Sequence, residues 1–191
     1  MSNGPLVMPM PNQTKGESPL GWFNLAHAYL FDAATLYNAE ERPRGGFYEA
    51  PVRHLYFHAI ELFLKAYLRT RGMTDRELSL KPYSHDIKNL IDEAELRGMP
   101  ITKRIQRVRL FQMADEARDQ PIRSRYLRTG TATILPVVRL HEAARDLQGI
   151  VEGALHRAGI ATQRLRHLPI VHPQERRLTV AKAARLLARK P

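Results

Sequence analysis

From Pro51 to Arg71 the chain reads PVRHLYFHAIELFLKAYLRTR, apolar around nearly the whole circumference of a helix, with its polar residues confined to one line. His58, Glu61 and Lys65 are spaced i, i+3 and i+7. That spacing puts them on a single narrow stripe, which His54 extends backwards and Arg69 forwards. A helix that is apolar on every other side belongs in a core. Its stripe must therefore look out through a gap between neighbours or line a site. Pro51 near the start and Gly72 just past the end fit the usual helix boundaries.

The same period predicts four more helices. Between Pro19 and about Glu40, Trp22, Ala26, Tyr29, Leu30, Ala33, Leu36 and Tyr37 share one face, with Ser18 as N-cap, and ERPRGG then breaks the helix. After a loop from Gly72 to Tyr83, Ser84 is expected to cap a helix with Asp86 in its first turn. Ile87, Leu90, Ile91 and Ala94 face inward there, and Gly98 and Pro100 stop it. Thr102 to about Arg118 should bury Ile105, Val108, Phe111 and Ala114. Pro136 to Ala158 carries the cleanest seam, with Val137, Leu140, Ala144, Leu147, Val151, Ala154 and Ala158 three and four apart.

Beyond Gly159, Pro169 and Pro173 preclude a continuous helix. A last amphipathic helix over 177–188 would set Val180, Ala184 and Leu187 opposite Lys182, Arg185 and Arg189. No strand or internal repeat is evident. The expected architecture is all-α: an up-and-down bundle of four to five antiparallel helices over 19–158. A disordered leader (1–18) precedes it, and a basic tail (159–191) follows.

Length and charge sharpen this picture. The 191 residues suit one domain of ordinary size, and the lack of cysteine excludes disulfides, thiolate metal sites and cysteine nucleophiles. The longest apolar run, Leu55 to Leu68, is too short and too charged to span a bilayer, and the N-terminus lacks a secretory pattern, so a cytoplasmic protein without membrane insertion is expected. The formal net charge is +11, and eight basic residues against one acidic from Gly159 onward account for +7 of it. Such a segment attracts polyanions, or else simply solubilises the chain.

Candidate chemistry gathers in three places. The stripe residues His54, His58 and Glu61 could offer metal ligands. The facing helices lack a matching carboxylate motif, so no metal is expected. His85 and Asp86 open a helix, where capping is the favoured role, yet His85 and Lys65 could converge with Arg125 on an anion. Arg123, Arg125, Tyr126 and Arg128 lie in a non-periodic stretch. They would suit phosphate and base contacts or, equally, pairing with neighbouring carboxylates. Nothing resembles a phosphate-binding glycine loop or a serine-centred elbow, and no cofactor is expected.

Taken together, AIELFLKAYLRTRG (Ala59–Gly72) and YSHDIKNLIDEAELRG (Tyr83–Gly98) resemble the HEPN superfamily of small helical bundles. Glu61, Leu64, Lys65, Ala66, His85 and Asp86 fall on that pattern. The resemblance implies a domain that dimerises and acts on or with RNA or nucleotides, in some relatives beside a nucleotidyltransferase-type partner. Catalytic members are metal-independent RNases with an arginine four to six residues before a histidine near the start of the last long helix. Here no histidine follows Arg123, Arg125 or Arg128 at that spacing. The formal matches, Arg53 to His58 and Arg166 to His172, lie elsewhere.

The expected function is therefore a non-catalytic HEPN-like binding module for RNA or nucleotide. Its charge comes from Arg123, Arg125 and Arg128 with Arg176, Arg177, Lys182, Arg185 and Arg189 of the tail. The alternatives are a divergent metal-independent RNase of toxin–antitoxin or defence type, using His85 or a partner copy's histidine at position 141, and a purely structural interaction bundle.

Overall fold

The structure, a computed structural model, describes residues 18–39, 49–116 (side chains through Met113), 135–162 and 167–171. The leader expected over 1–18 lies outside these except for Ser18. The stretch 117–134 and the helix expected over 177–188 lie outside them entirely.

Among the described residues the chain is all-helical. The helices are α1 (Pro19–Asn38), α2 (Ala50–Thr70), α3 (Asp75–Ser79), α4 (Ile87–Leu96), α5 (Lys103–Glu116) and α6 (Val137–Arg157). Helix α1 starts where Ser18 Oγ accepts from the Gly21 N–H at 2.9 Å. Its buried face is Phe23, Ala26, His27, Leu30, Ala33, Ala34 and Tyr37. Leu36, expected inside, is exposed, because the face is rotated toward Phe23 and His27. The short α3 was not legible in the period. A capping box, with Thr74 Oγ1 and Glu77 bonding each other's backbone N–H, stabilises a turn too short to carry a hydrophobic repeat.

Helix α4 begins later than expected. Asp86, not Ser84, is the N-cap and accepts from the Asn89 N–H at 2.9 Å, while the Ser84 carbonyl is engaged elsewhere. The inward face of α4 is the expected one, and Gly98 ends the helix at φ +85°. Helix α6 buries the expected seam except Ala158, and adds His141, Ala143 and Leu155.

The path of the chain follows from side-chain pairs. Phe23 meets Phe63, with centroids 5.7 Å apart, and Tyr29 meets His58, so α1 and α2 are antiparallel. Arg53 bonds the Leu135 carbonyl and Tyr56 bonds His141, so α6 runs parallel to α2 and antiparallel to α1. Helix α5 returns beside α6, with Thr102 and Arg104 on Asp146 and Phe111 stacked on Phe57. Helix α2 is thus enclosed by α1, α4 and α6, and every residue from Ala59 to Leu68 is buried.

Past α6 the chain turns at Gly159 (φ +74°), and Ile160 N–H closes the helix on the Leu155 carbonyl at 2.9 Å. At the far end of the bundle Asn38 Nδ2 donates to the Ile170 carbonyl at 2.9 Å. Ile160, Leu168 and Val171 pack half-buried against the core between these points, so part of the expected tail is a covering segment of the bundle. No helix among the described residues is long and apolar enough to cross a membrane.

Candidate functional site

The stripe on α2 is a continuous line of polar contacts. Glu61, only 1% exposed, sits at its centre. One of its oxygens, Oε1, accepts from Lys65 Nζ at 2.9 Å and from His85 Nδ1 at 3.0 Å, while His58 Nδ1 lies 3.9 Å from Oε2. Lys65 Nζ also donates to the Ser84 carbonyl at 2.7 Å and lies 5.5 Å from the centre of the Trp22 ring. Trp22 Nε1 in turn donates to Asp75, which forms an ion pair with Arg69 at 3.0 Å. At the other end of the stripe Tyr29 sets its edge on His58, and His54 stacks on His58.

Burying an ammonium and a carboxylate is tolerated when each is paired and their remaining hydrogen-bonding positions are filled. The three N–H bonds of Lys65 have a carboxylate, a carbonyl and an aromatic face to meet. The stripe thus fastens α1, α3 and the 80–86 loop to the central helix. Lys65 and His85 do converge, as the sequence suggested, but on Glu61; Lys65 is enclosed, whereas the His85 side chain is 72% exposed. Among the described residues no group of three or more His, Asp or Glu is arranged to hold a metal ion, and His54 stacks on His58 while His58 Nδ1 lies 3.9 Å from Glu61 Oε2.

A second polar cluster, not anticipated from the sequence, lies between the starts of α2 and α6. Arg53 is 7% exposed and donates to the Leu135 carbonyl. Burial lowers its pKa to about 10, opposed by Glu49. The Tyr56 hydroxyl and His141 Nδ1 are hydrogen-bonded at 3.0 Å inside the bundle. Burial raises the tyrosine's pKa, with Tyr37 adding to the effect. Burial, helped by Arg145 and opposed by Glu142, lowers His141 to about 4. At neutral pH this is an uncharged pair in the interior. The available signal was that Arg53 and Tyr56 share the face of α2 opposite the stripe, where a polar atom needs an internal partner.

The formal Arg53–His58 spacing does not bring the two side chains together. Five residues turn a helix by about 140° from one to the other, so Arg53 faces α6 and His58 faces Tyr29. Arg123, Arg125, Tyr126, Arg128, Arg176, Arg177, Lys182, Arg185 and Arg189 lie outside the described residues, as do Arg166 and His172.

The His141 contact has a pH consequence. Its pKa in the fold is below the ordinary 6.5, so the unfolded chain binds the extra proton. Its stabilising contribution is full above about pH 6.5 and is lost as pH falls toward about 4. Discounted for solvent screening, the loss is expected to be about 1–2 kcal/mol. Urea unfolding at pH 7 and pH 4.5 should show a smaller acid loss for His141→Gln than for the parent chain. Equal losses would rule out the assignment.

No protein-family model, no curated protein and no solved structure matches this chain.

Proposed function

We propose that the chain is a HEPN-like binding module that engages RNA or a nucleotide through cations outside its helical core, without cleaving it. The observation that carries this reading is where the charge lies. From Gly159 onward eight basic residues stand against one acidic, +7 of the formal net charge of +11, and Arg123, Arg125 and Arg128 add to it. Within the bundle, Arg104 sits on Asp146 and Glu142, Arg109 on Asp92 and Glu95, Arg97 on Glu93 and Lys65 on Glu61. On this reading the cations that meet the polyanion are Arg123, Arg125 and Arg128 with Arg176, Arg177, Lys182, Arg185 and Arg189.

A non-cleaving role is supported by the separation of Arg53 from His58 and by the interior, uncharged setting of His141. The HEPN resemblance extends the proposal to a homodimer and to a nucleotidyltransferase-type protein partner. Light scattering of the purified chain, alone and with such a partner, tests both.

Fluorescence anisotropy with a labelled single-stranded RNA tests the binding itself. If about five phosphates are engaged, affinity should fall about 100-fold between 50 and 200 mM salt. Removing residues 172–191 should flatten that slope. Binding that is absent, or indifferent to salt, would end the proposal. RNA cut in the presence of chelator would replace it with the metal-independent RNase.

A further inference from the structure

Not every cation of the bundle sits on a carboxylate. Arg76, Lys81, Lys103, Arg107, Arg145 and Arg157 are exposed and form no ion pair or side-chain hydrogen bond among the described residues. Arg76 and Lys81 stand on α3 and the loop after it, and Arg145 and Arg157 lie more than three turns apart on α6. Lys103 and Arg107 differ from these. They are four residues apart on α5, one turn along a single face.

The packing of α5 explains why these two are bare. Ile105, Val108 and Gln112 are buried and define its inward face. On the flank toward α4, Arg109 pairs with Asp92 and Glu95, and Lys88 also pairs with Asp92, so that flank is balanced. On the flank toward α6, Arg104 lies on Asp146 and Glu142, and Arg139 lies on the same Glu142 oxygen at 2.9 Å. The neighbours' carboxylates therefore meet the two sides of α5 and leave its outward stripe of Lys103, Arg107 and Leu110 uncovered. Like charges one turn apart repel, so the stripe weakens the helix that carries it. Burial of the inward face holds α5 in spite of that.

We propose that the outward stripe of α5, carrying Lys103 and Arg107 and flanked by Arg104 and Arg139, contacts the phosphates of single-stranded RNA. The proposal rests on the RNA-binding reading above and adds to it a contact surface on the bundle itself. Together with Glu142 and Asp146 the group holds four cations against two carboxylates, so its field is positive even where the charges are paired. Lys103 and Arg107 are about 6 Å apart along the helix axis, which lets them take neighbouring phosphates of one strand. The arginine can hold its phosphate with two parallel N–H bonds, the lysine as a point charge. Arg104 and Arg139, 51% and 47% exposed, are fixed in place by their carboxylates while keeping a face to solvent. Leu110 continues the stripe at 53% exposure and offers an unstacked base an apolar surface, which favours a single strand over a duplex. Binding would also screen the repulsion between the two bare cations, so the stripe is most stable when occupied.

The test compares two double variants of the full chain that lose the same charge. Lys103→Ala with Arg107→Ala removes the stripe, and Arg76→Ala with Lys81→Ala removes two bare cations elsewhere. None of the four side chains belongs to the core, so both variants should melt with the parent. With labelled single-stranded RNA, losing two phosphate contacts should lower the steepness of log K against log salt by about 1.4 and weaken binding about tenfold near 150 mM salt. The Arg76–Lys81 variant should stay within about twofold of the parent, with its slope unchanged. A stripe variant that keeps the parent's affinity and slope overturns the placement on α5 and leaves the binding module standing. Equal losses in both variants overturn it too, because net charge alone would then account for them. A parent chain that ignores RNA at every salt removes both this proposal and the function it rests on. If that chain instead sediments with phosphatidylserine vesicles and the stripe variant does not, a membrane surface replaces RNA as the occupant.

Discussion

Replacing Glu61 with alanine is expected to destabilise the bundle by about 3–5 kcal/mol, because it leaves the Lys65 ammonium buried without its counter-charge. For a domain of this size that lowers the melting temperature by roughly 6–20 °C. The loss exceeds that of a surface ion pair, about 0–1 kcal/mol, since water cannot replace the missing carboxylate beneath Trp22 and α2. His85 would also lose its acceptor and the 80–86 loop one of its two anchors on the stripe, the other being Lys65 on the Ser84 carbonyl. Urea unfolding of Glu61→Ala, Lys65→Met and the double substitution Glu61→Leu with Lys65→Met forms the test. The double variant should recover most of the stability, because removing both charges leaves no uncompensated ion. A single-variant loss below about 1 kcal/mol, or a double variant no better than Glu61→Ala, would show that the pair is not enclosed as described.

Phe63→Ala should cost a similar amount, about 3–5 kcal/mol, by a different route. Phe63 is fully buried and meets Phe23 of α1, so truncation leaves a cavity where the two longest-packed helices touch. The loss combines transfer of the removed ring with incomplete collapse of the space around it. It should not depend on salt. The Glu61 and Phe63 effects should add to within about 0.5 kcal/mol if the two sites share no partner. Phe63→Leu, which keeps much of the volume, should recover a large part. A loss under about 1 kcal/mol for Phe63→Ala would mean that α1 does not pack on α2 through this pair.

Much of the fold was legible because burial writes a period into the chain. The inward face of α4 and nearly all of the α6 seam are the residues the spacing picked out. Boundaries were less legible. Ser84 and Asp86 are both good cap residues, and the choice between them depended on Lys65, nineteen positions away, taking the Ser84 carbonyl. The face of α1 was read one position off, toward Trp22 and Leu36, because the helix has apolar residues almost all round and only its neighbours decide which turn inward. The short α3 escaped because five residues cannot display a helical repeat.

The stripe residues were all named from the sequence, since one buried helix with one polar line is a pattern of spacing. The Glu61–Lys65 pair also follows from the four-residue spacing, but the contacts of His85 and Trp22 with them do not, because these reach the stripe from other segments. The Arg53–Leu135 and Tyr56–His141 contacts were missed for the same reason: each joins residues more than eighty positions apart.

The sequence by itself determined the all-helical character of the described residues, the identity of the central helix, the polar line on that helix and the concentration of positive charge toward the C-terminal end. These depend on composition and on spacing within one segment, which the helix geometry fixes locally. Only the tertiary structure decided that the Glu61–Lys65 pair is enclosed and joined by His85 and the Ser84 carbonyl, that His141 lies uncharged in the interior, and that the Ile170 carbonyl meets Asn38. Those outcomes depend on which distant residues meet, and on the desolvation and pairing that follow, and no local period records either.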